Sequence, residues 1–263
     1  MFDLIIIAYN ISNAEKTDAV FLIELLWHCK GEMAIEKKKS PLSESQIKRM
    51  DRVGKEDKNM APKYKVTYFN FTGLGEPIRY LLAYGNFDFE DNRFEMADWP
   101  KIKPTTPFGQ VPFLEVDGKV INQSSAICRY LAKQCGLAGK SDWDALEADA
   151  VVDTITDFRL QYSAYFKAPN EEAKAKQLED VRNIHNPNFL SKFEEKVKKN
   201  GGHFVNNQLT WADIYFAAVT ELMAGILKEP VLDKYPNLKA LKEKVEAIPN
   251  IAAYREKRPK TMF

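Results

Sequence analysis

One tyrosine occupies a position from which its hydroxyl could contact a bound ligand. Tyr68 lies near the end of the alternating run Lys65-Val-Thr-Tyr-Phe69, shortly before the turn Gly73-Leu-Gly75. The alternation predicts a strand, and open α/β sheets bind ligands beyond the carboxyl ends of their strands. From this position the hydroxyl can donate a hydrogen bond to a bound ligand. The alternative is a core aromatic with its hydroxyl at the rim, because strands are rich in tyrosine. Periodicity alone does not decide between the two.

The glycine turn after this strand resembles the start of a dinucleotide-binding site. Such a site needs a third glycine, where the helix packs closely against the strand, and Ile78 occupies that position. The turn is not followed by the lysine of a phosphate-binding loop, and the remaining sequence does not predict a large parallel sheet. We therefore exclude nucleotide binding by this turn.

Three aspartates form a second group that could do chemistry. Asp149, Asp153 and Asp157 follow one another at intervals of four residues, so three like charges share one face of a predicted helix. Such neighbours destabilise a helix by roughly a few tenths of a kcal/mol per pair. The face is therefore either used for binding or simply solvated, and both interpretations stay open.

Residue types that bind metals or do redox chemistry are sparse. The chain has three histidines and three cysteines, with no histidine pair at helical spacing and no Cys-x-x-Cys. This pattern predicts no metal site, and a small, odd number of cysteines fits a reducing compartment. No cysteine stands between Met60 and Cys128, which argues against a thioredoxin or glutaredoxin mechanism near Tyr68.

The elements around Tyr68 predict a small α/β unit. Val66–Phe69 and Phe89–Phe94 are predicted strands on either side of a helix over Glu76–Tyr84, which has a proline in its first turn. A hairpin follows around the turn Asp117-Gly118, and a further helix begins near Ser124. The order is thus β-α-β followed by β-β-α.

The remaining sequence predicts only helices. The chain is broken by glycines at 136 and 139, and the string Thr210-Trp-Ala-Asp213 predicts an N-terminal helix cap. The predicted helical segments are Trp143–Leu160, Glu171–Val181, Asn188–Lys199, Trp211–Ile226 and Leu238–Ala247.

The first 60 residues have a different composition. Residues 37–60 are polar and charged and offer almost nothing to bury, which predicts disorder. We interpret residues 1–59 as a dispensable extension or the product of a start codon assigned too far upstream. The alternative is a targeting arm with a short docking helix around residues 18–29.

Charge and hydropathy exclude several classes of function. Thirty-eight basic and 37 acidic side chains give a net charge of +1, so nucleic acid is not an expected partner. The longest apolar run, Ala19–Trp27, is interrupted by Glu24 and is too short to span a membrane. Since the N-terminus also lacks the features of a signal peptide, we expect a cytoplasmic protein.

Several strings in order resemble the cytosolic glutathione transferases. They are Tyr68, Asp98–Lys103, Pro107–Pro112, Glu115–Gly118, Gln123–Leu131 and Thr210–Asp213. The closest likeness is to the sigma class, which includes the haematopoietic prostaglandin D synthases and arthropod transferases. The resemblance implies a thioredoxin-like βαβ-ββα domain that binds glutathione over residues 61–138, an all-α domain over residues 141–263, and a homodimer. It leaves residues 1–60 unassigned.

The resemblance also implies a catalytic residue and a glutathione site. Tyr68 would donate a hydrogen bond that favours the thiolate of glutathione, the co-substrate. The implied glutathione contacts are Tyr68, Trp99, Lys103, Gln110, Val111, Pro112, Gln123, Ser124 and, from the other subunit of the dimer, Asp157. The Val111–Pro112 bond would be cis, and the start of the helix at Ser124 would favour the γ-glutamyl carboxylate.

A pocket for a hydrophobic electrophile is implied beside the thiol. The matching positions are Phe69, Phe71, Leu74, Arg159, Tyr215 and Val219, although ordinary core packing is the alternative for each. Leu74 stands where the vertebrate prostaglandin D synthases have arginine. We therefore expect conjugation of small electrophiles, such as lipid-peroxidation aldehydes. A glutathione-dependent prostaglandin D isomerase and a non-enzymatic S-crystallin-like protein are the alternatives, and no metal is expected because Thr156 replaces one matching acid.

Overall fold

The computed structural model describes residues 62–261, and its sheet has four strands. They are β1 (Tyr64–Phe69), β2 (Phe89–Phe94), β3 (Phe113–Val116) and β4 (Lys119–Asn122). The order across the sheet is β2-β1-β3-β4, with β1 parallel to β2 and the other pairs antiparallel. This mixed sheet confirms the predicted βαβ-ββα arrangement. The predictions for residues 1–60 fall outside the described residues.

Three α-helices belong to the sheet part and six follow it in the described chain. The first three are α1 (Glu76–Tyr84), α2 (Trp99–Ile102) and α3 (Ser124–Gln134). The later six are α4 (Asp142–Ser163), α5 (Glu171–Asp180), α6 (Asn186–Lys199), α7 (Trp211–Leu227), α8 (Pro236–Glu246) and α9 (Pro249–Lys257). The prediction omits α9, whose only buried residue is Ile251, so its sequence carries no apolar period.

A π-helical turn joins α5 to α6 without a break in the helix. It spans Val181–His185, whereas the sequence predicts two segments separated by a turn. Pro187 explains the local geometry, because proline has no N–H and its ring clashes with the carbonyl four residues earlier. The wider π turn just before Pro187 accommodates that clash.

Helix α7 forms the centre of the core. All but three of its 17 residues are buried, and it packs against α1 and α3 of the sheet part as well as α4 and α8. Its predicted capping box is confirmed, since the Thr210 N–H donates to Asp213 at 2.7 Å. The sheet part and the helical part therefore share one core. None of the helices within residues 62–261 has the length and apolarity needed to cross a bilayer.

Candidate active site

Tyr68 is buried at the end of β1, with its hydroxyl at the turn before α1. The backbone N–H of Leu74 donates to the Tyr68 hydroxyl oxygen at 3.2 Å. Burial raises the pKa of Tyr68, so the phenol keeps its proton near neutral pH. Because the oxygen accepts the Leu74 hydrogen bond, the hydroxyl hydrogen is free to be donated elsewhere.

The two glycines of the turn make room for this phenol. A Cβ at Gly73 would lie 2.6 Å from the Tyr68 hydroxyl oxygen, and one at Gly75 would lie 2.6 Å from a ring carbon. Real side chains do not approach so closely. The Gly-x-Gly pattern, which we excluded as a nucleotide site, therefore lets the turn close over the tyrosine ring.

A cleft of about 380 Å³ opens beside the turn. Its walls are Phe69, Leu74, Trp99, Gly109, Gln110, Val111, Pro112, Gln123 and Ser124. Six of the predicted glutathione contacts therefore lie around one cleft, and the Val111–Pro112 bond is cis. Lys103 is exposed and does not line the cleft, although its side chain passes close to Gly109.

The start of helix α3 supplies hydrogen-bond donors to this cleft. Gln123 precedes the helix with a φ of 74°, a conformation that non-glycine residues adopt rarely, and its side chain does not cap the helix. The first N–H groups of an α-helix have no partner within the helix and carry partial positive charge. Because Gln123 and Ser124 both line the cleft, this end of it favours a carboxylate.

Aromatic rings form the wall between Tyr68 and Trp99. Phe69 is stacked on Phe71 with ring centroids 5.3 Å apart, and it meets Trp99 edge-on at 5.4 Å. The Tyr68 ring contacts both phenylalanines at 5.4 Å. Three of the predicted pocket residues, Phe69, Phe71 and Leu74, thus surround the tyrosine.

Of the pocket residues predicted in the helical part, two are fully buried and one is half-buried. Tyr215 and Val219 lie fully buried on α7, and the Tyr215 hydroxyl lies 3.5 Å from that of Thr156. Arg159 is half-buried; its Nη1 donates to Ser163 at 2.8 Å, while its Nε has no partner. The charge of Arg159 lowers the pKa of Tyr68 against the larger effect of burial.

The aspartates of α4 differ in their surroundings. The two oxygens of Asp149 share the hydrogen donated by Arg129 Nε, each at 2.9 Å, whereas Asp153 and Asp157 are exposed. The helix therefore carries one paired and two solvated acids on this face. Within residues 62–261, no group of three or more His, Cys, Asp or Glu side chains is arranged to hold a metal ion.

Sequence reasoning missed Arg79, a fully buried residue of α1. Its guanidinium carbon lies 5.9 Å from the centre of the Tyr68 ring, and it pairs with Glu76 at 3.2 Å and with Asp91 at 2.8 Å. Its Nη1 donates to the Phe71 carbonyl at 2.9 Å. An available signal was the pair Glu76 and Arg79, three residues apart in a helix otherwise rich in apolar residues.

Comparison with known proteins agrees with this geometry. Two family models match, the glutathione S-transferase N-terminal domain over residues 64–133 and the C-terminal domain over residues 156–258. A glutathione S-transferase of Anopheles gambiae is 46% identical over 200 residues, covering 76% of this chain and 98% of the mosquito protein.

Prostaglandin synthases are also among the relatives. The haematopoietic prostaglandin D synthase of Gallus gallus is 46% identical over 202 residues, which cover 76% of this chain and 98% of the chicken protein. The solved structure of prostaglandin synthase D of Nilaparvata lugens is 49% identical, with a TM-score of 0.74, and covers 76% of this chain and all of the other. These matches, together with the cleft beside Tyr68, establish that the chain belongs to the glutathione S-transferase family, whose co-substrate is glutathione.

Proposed function

We propose that this enzyme is a sigma-class transferase in which the Tyr68 hydroxyl donates a hydrogen bond to the thiolate of glutathione. The thiolate then attacks an electrophile bound beside it. The observation that carries the proposal is the state of the Tyr68 hydroxyl, which contacts the backbone of Leu74, a residue that lines the cleft. Its oxygen accepts from Leu74, its hydrogen is free, and its raised pKa keeps it protonated.

Such a site can supply the free energy that is needed to ionise the thiol of bound glutathione. A free cysteine thiol has a pKa of about 8.5, so only a small fraction is ionised near neutral pH. Lowering that pKa by about two units needs roughly 2.7 kcal/mol of preferential stabilisation of the thiolate. A hydrogen bond to the charged form contributes to this. The N-terminus of α3 and the charge of Arg159 act in the same direction.

The rest of the cleft suits glutathione, which is a peptide with a carboxylate at each end. We propose that Gln123 and Ser124 bind the γ-glutamyl carboxylate and that the main chain of Val111, with its neighbours Gln110 and Pro112, holds the cysteinyl unit. Trp99 and Lys103 bind the glycyl carboxylate. The support is that all of these residues except Lys103 line one cleft, which also receives the donors at the start of α3.

The electrophile is proposed to lie against the aromatic wall. Phe69, Phe71 and Leu74 offer an apolar surface, and Arg159 remains a predicted pocket residue whose buried Nε has no partner. Tyr215 and Val219 remain predicted pocket residues, and their full burial favours packing for Val219. A second candidate is prostaglandin D isomerisation, which is favoured by the identity to the chicken and planthopper proteins.

Replacing Tyr68 by phenylalanine tests the mechanism. We expect turnover with 1-chloro-2,4-dinitrobenzene to fall at least about tenfold, while the KM for glutathione stays nearly unchanged, because only the activating hydroxyl is lost. Tyr84→Phe, on α1, is the matched control and should keep full turnover. Intact turnover in Tyr68→Phe would falsify the role of this residue. An inactive wild-type chain would favour the S-crystallin-like alternative.

We further propose a homodimer in which Asp157 reaches the glutathione of the other subunit. Val120, Ile121 and Tyr130 are exposed around a cleft of about 500 Å³ on β4 and α3, and this apolar face supports a contact between two copies. The two domains stay a proposal, residues 61–138 and 141–263, and sedimentation of residues 61–263 tests the dimer. A folded, active monomer would contradict the dimer. A cytoplasmic location stays a prediction.

A further inference from the structure

A row of buried charges connects the end of α9 to the Tyr68 turn. Glu76 and Arg79 of α1 both have side chains with 0% exposure. Arg258, directly after α9 and only 17% exposed, forms an ion pair with Glu76 through Nη1. The Tyr254 hydroxyl also donates to Glu76 at 3.3 Å. We call Arg258, Glu76 and Arg79 the buried charge row.

At one end of the row, Arg79 fixes the main chain that leaves Tyr68. Its Nη1 donates to the Phe71 carbonyl at 2.9 Å and its Nη2 to the Phe69 carbonyl at 3.4 Å. These two carbonyls flank Asn70, and their residues form the aromatic wall against the tyrosine ring. The position of the Arg79 guanidinium therefore determines where the segment after Tyr68 runs.

The position of Arg79 depends in turn on its counter-charges. Asp91 binds Nε at 2.8 Å from one side, and Glu76 binds Nη1 at 3.2 Å from the other. A buried charge is strongly unfavourable without a partner. Glu76 divides its two oxygens between Arg258 and Arg79, so removal of Arg258 leaves one carboxylate oxygen without its charged partner. The carboxylate is then free to turn, which alters its hold on Arg79.

Arg255, a neighbouring arginine in the helical part, serves as the control for Arg258. Arg255 lies on α9 itself and pairs with Glu221 at 2.8 Å and with Glu246 at 3.1 Å. Arg258 also pairs with Glu221, at 2.7 Å. The two arginines thus share one acidic partner and one region of the fold. Of these two arginines, Arg258 is the one that forms an ion pair with Glu76.

We propose that Arg258 is a positioning residue for thiol activation, acting through Glu76 and Arg79 on the segment that aims the Tyr68 hydroxyl. This inference rests on the proposed role of Tyr68 as the thiol activator. Arg258 does not line the cleft proposed for glutathione. Its effect therefore belongs to the ionisation of the bound thiol and to turnover, not to glutathione affinity.

The experiment measures the pKa of bound glutathione by the ultraviolet absorbance of its thiolate across pH, in the full chain. In Arg258→Met we expect that pKa to rise by about half a unit or more and kcat to fall about three- to tenfold, with the KM for glutathione within about twofold. Arg255→Met should leave the thiol pKa unchanged and kcat within about twofold of wild type. Arg258→Lys, which keeps the charge, should recover at least part of the lost kcat.

Two results would overturn the inference. One is an unchanged thiol pKa in Arg258→Met, and the other is an equal shift in Arg255→Met, which would indicate general loosening of α9. Should Arg258→Met fail to fold, Arg258→Gln keeps a donor toward Glu76 and should shift the thiol pKa in the same direction by a smaller amount. A wild-type enzyme that does not ionise bound glutathione would refute the Tyr68 role as well. Ionisation that is lost in Tyr68→Phe but unaffected in Arg258→Met would refute only the role of Arg258.

Discussion

The two ends of the proposed glutathione cleft are built in different ways. At the Tyr68 end, a buried ring is held by charged residues that lie far apart in the sequence, with Arg258 separated from Glu76 by 182 positions. At the Ser124 end, the donors are main-chain groups at the start of one helix, and the residues are half-buried or exposed. The first end is fixed by tertiary contacts and the second by local backbone geometry. A substitution should therefore affect stability and turnover at one end, and binding alone at the other.

Arg79→Met tests the Tyr68 end and should have the largest effect. It leaves the fully buried Glu76 and the partly buried Asp91 without their common cation, so we expect the free energy of unfolding to fall by about 3–5 kcal/mol. Urea denaturation followed by circular dichroism measures this. The control is Arg129→Met, because the Arg129–Asp149 pair is about one-third exposed, at 35% and 33%. That change should cost less than about 1 kcal/mol. Equal losses in the two variants would contradict the comparison.

Gly75→Ala has the next largest expected effect and tests the fit of the turn to the tyrosine ring. The new methyl group would lie 2.6 Å from a ring carbon of Tyr68, so the ring must shift. We expect a loss of stability of about 1–3 kcal/mol and a fall in kcat of about tenfold or more.

Gly118→Ala is the control for Gly75→Ala, because it introduces backbone strain without a contact to the Tyr68 ring. Gly118 has a φ of 79°, and a methyl group added there would have nothing within 4 Å, so its replacement costs about 1–2 kcal/mol of strain alone. It should lower the melting temperature and leave kcat unchanged. A Gly75→Ala enzyme with wild-type kcat would show that the ring position does not matter.

Ser124→Ala probes the other end and should have the smallest effect. We expect the KM for glutathione to rise about fivefold, corresponding to about 1 kcal/mol for one lost hydrogen bond, with kcat and stability unchanged. Ser191→Ala, on α6, is the control and should leave the KM unchanged. A fall in kcat at constant KM would place Ser124 with the activating residues and remove the distinction between the two ends.

Local sequence patterns were sufficient for the Ser124 end. The turn Asp117-Gly118 and the start of the helix at Ser124 depend on residues close together in the chain, whereas the cis bond before Pro112 was expected only from the family resemblance. The same is true of the capping box at Thr210, which needs only the residue three positions later. Such features follow from propensity and hydrogen-bond chemistry within one turn.

The charge network behind Tyr68 could not be predicted in this way. The apolar helix around Glu76 and Arg79 is a signal for the pair, but their spacing is also that of an ordinary surface pair and does not decide that both are buried. Their other partners, Asp91 and Arg258, become neighbours only after β2 and α9 pack against α1. Val219 shows the same limit, because α7 is apolar on all sides and its period does not separate core from pocket.

The central position of α7 has a consequence for how substrates reach the site. The helix is enclosed by both the sheet part and the helical part, so the two parts cannot rotate apart about a hinge without exposing its apolar surface to water. We therefore expect substrates to enter the cleft while the scaffold stays closed. For the same reason, the main-chain amides of α7 should exchange with solvent only when residues 62–261 unfold as a whole.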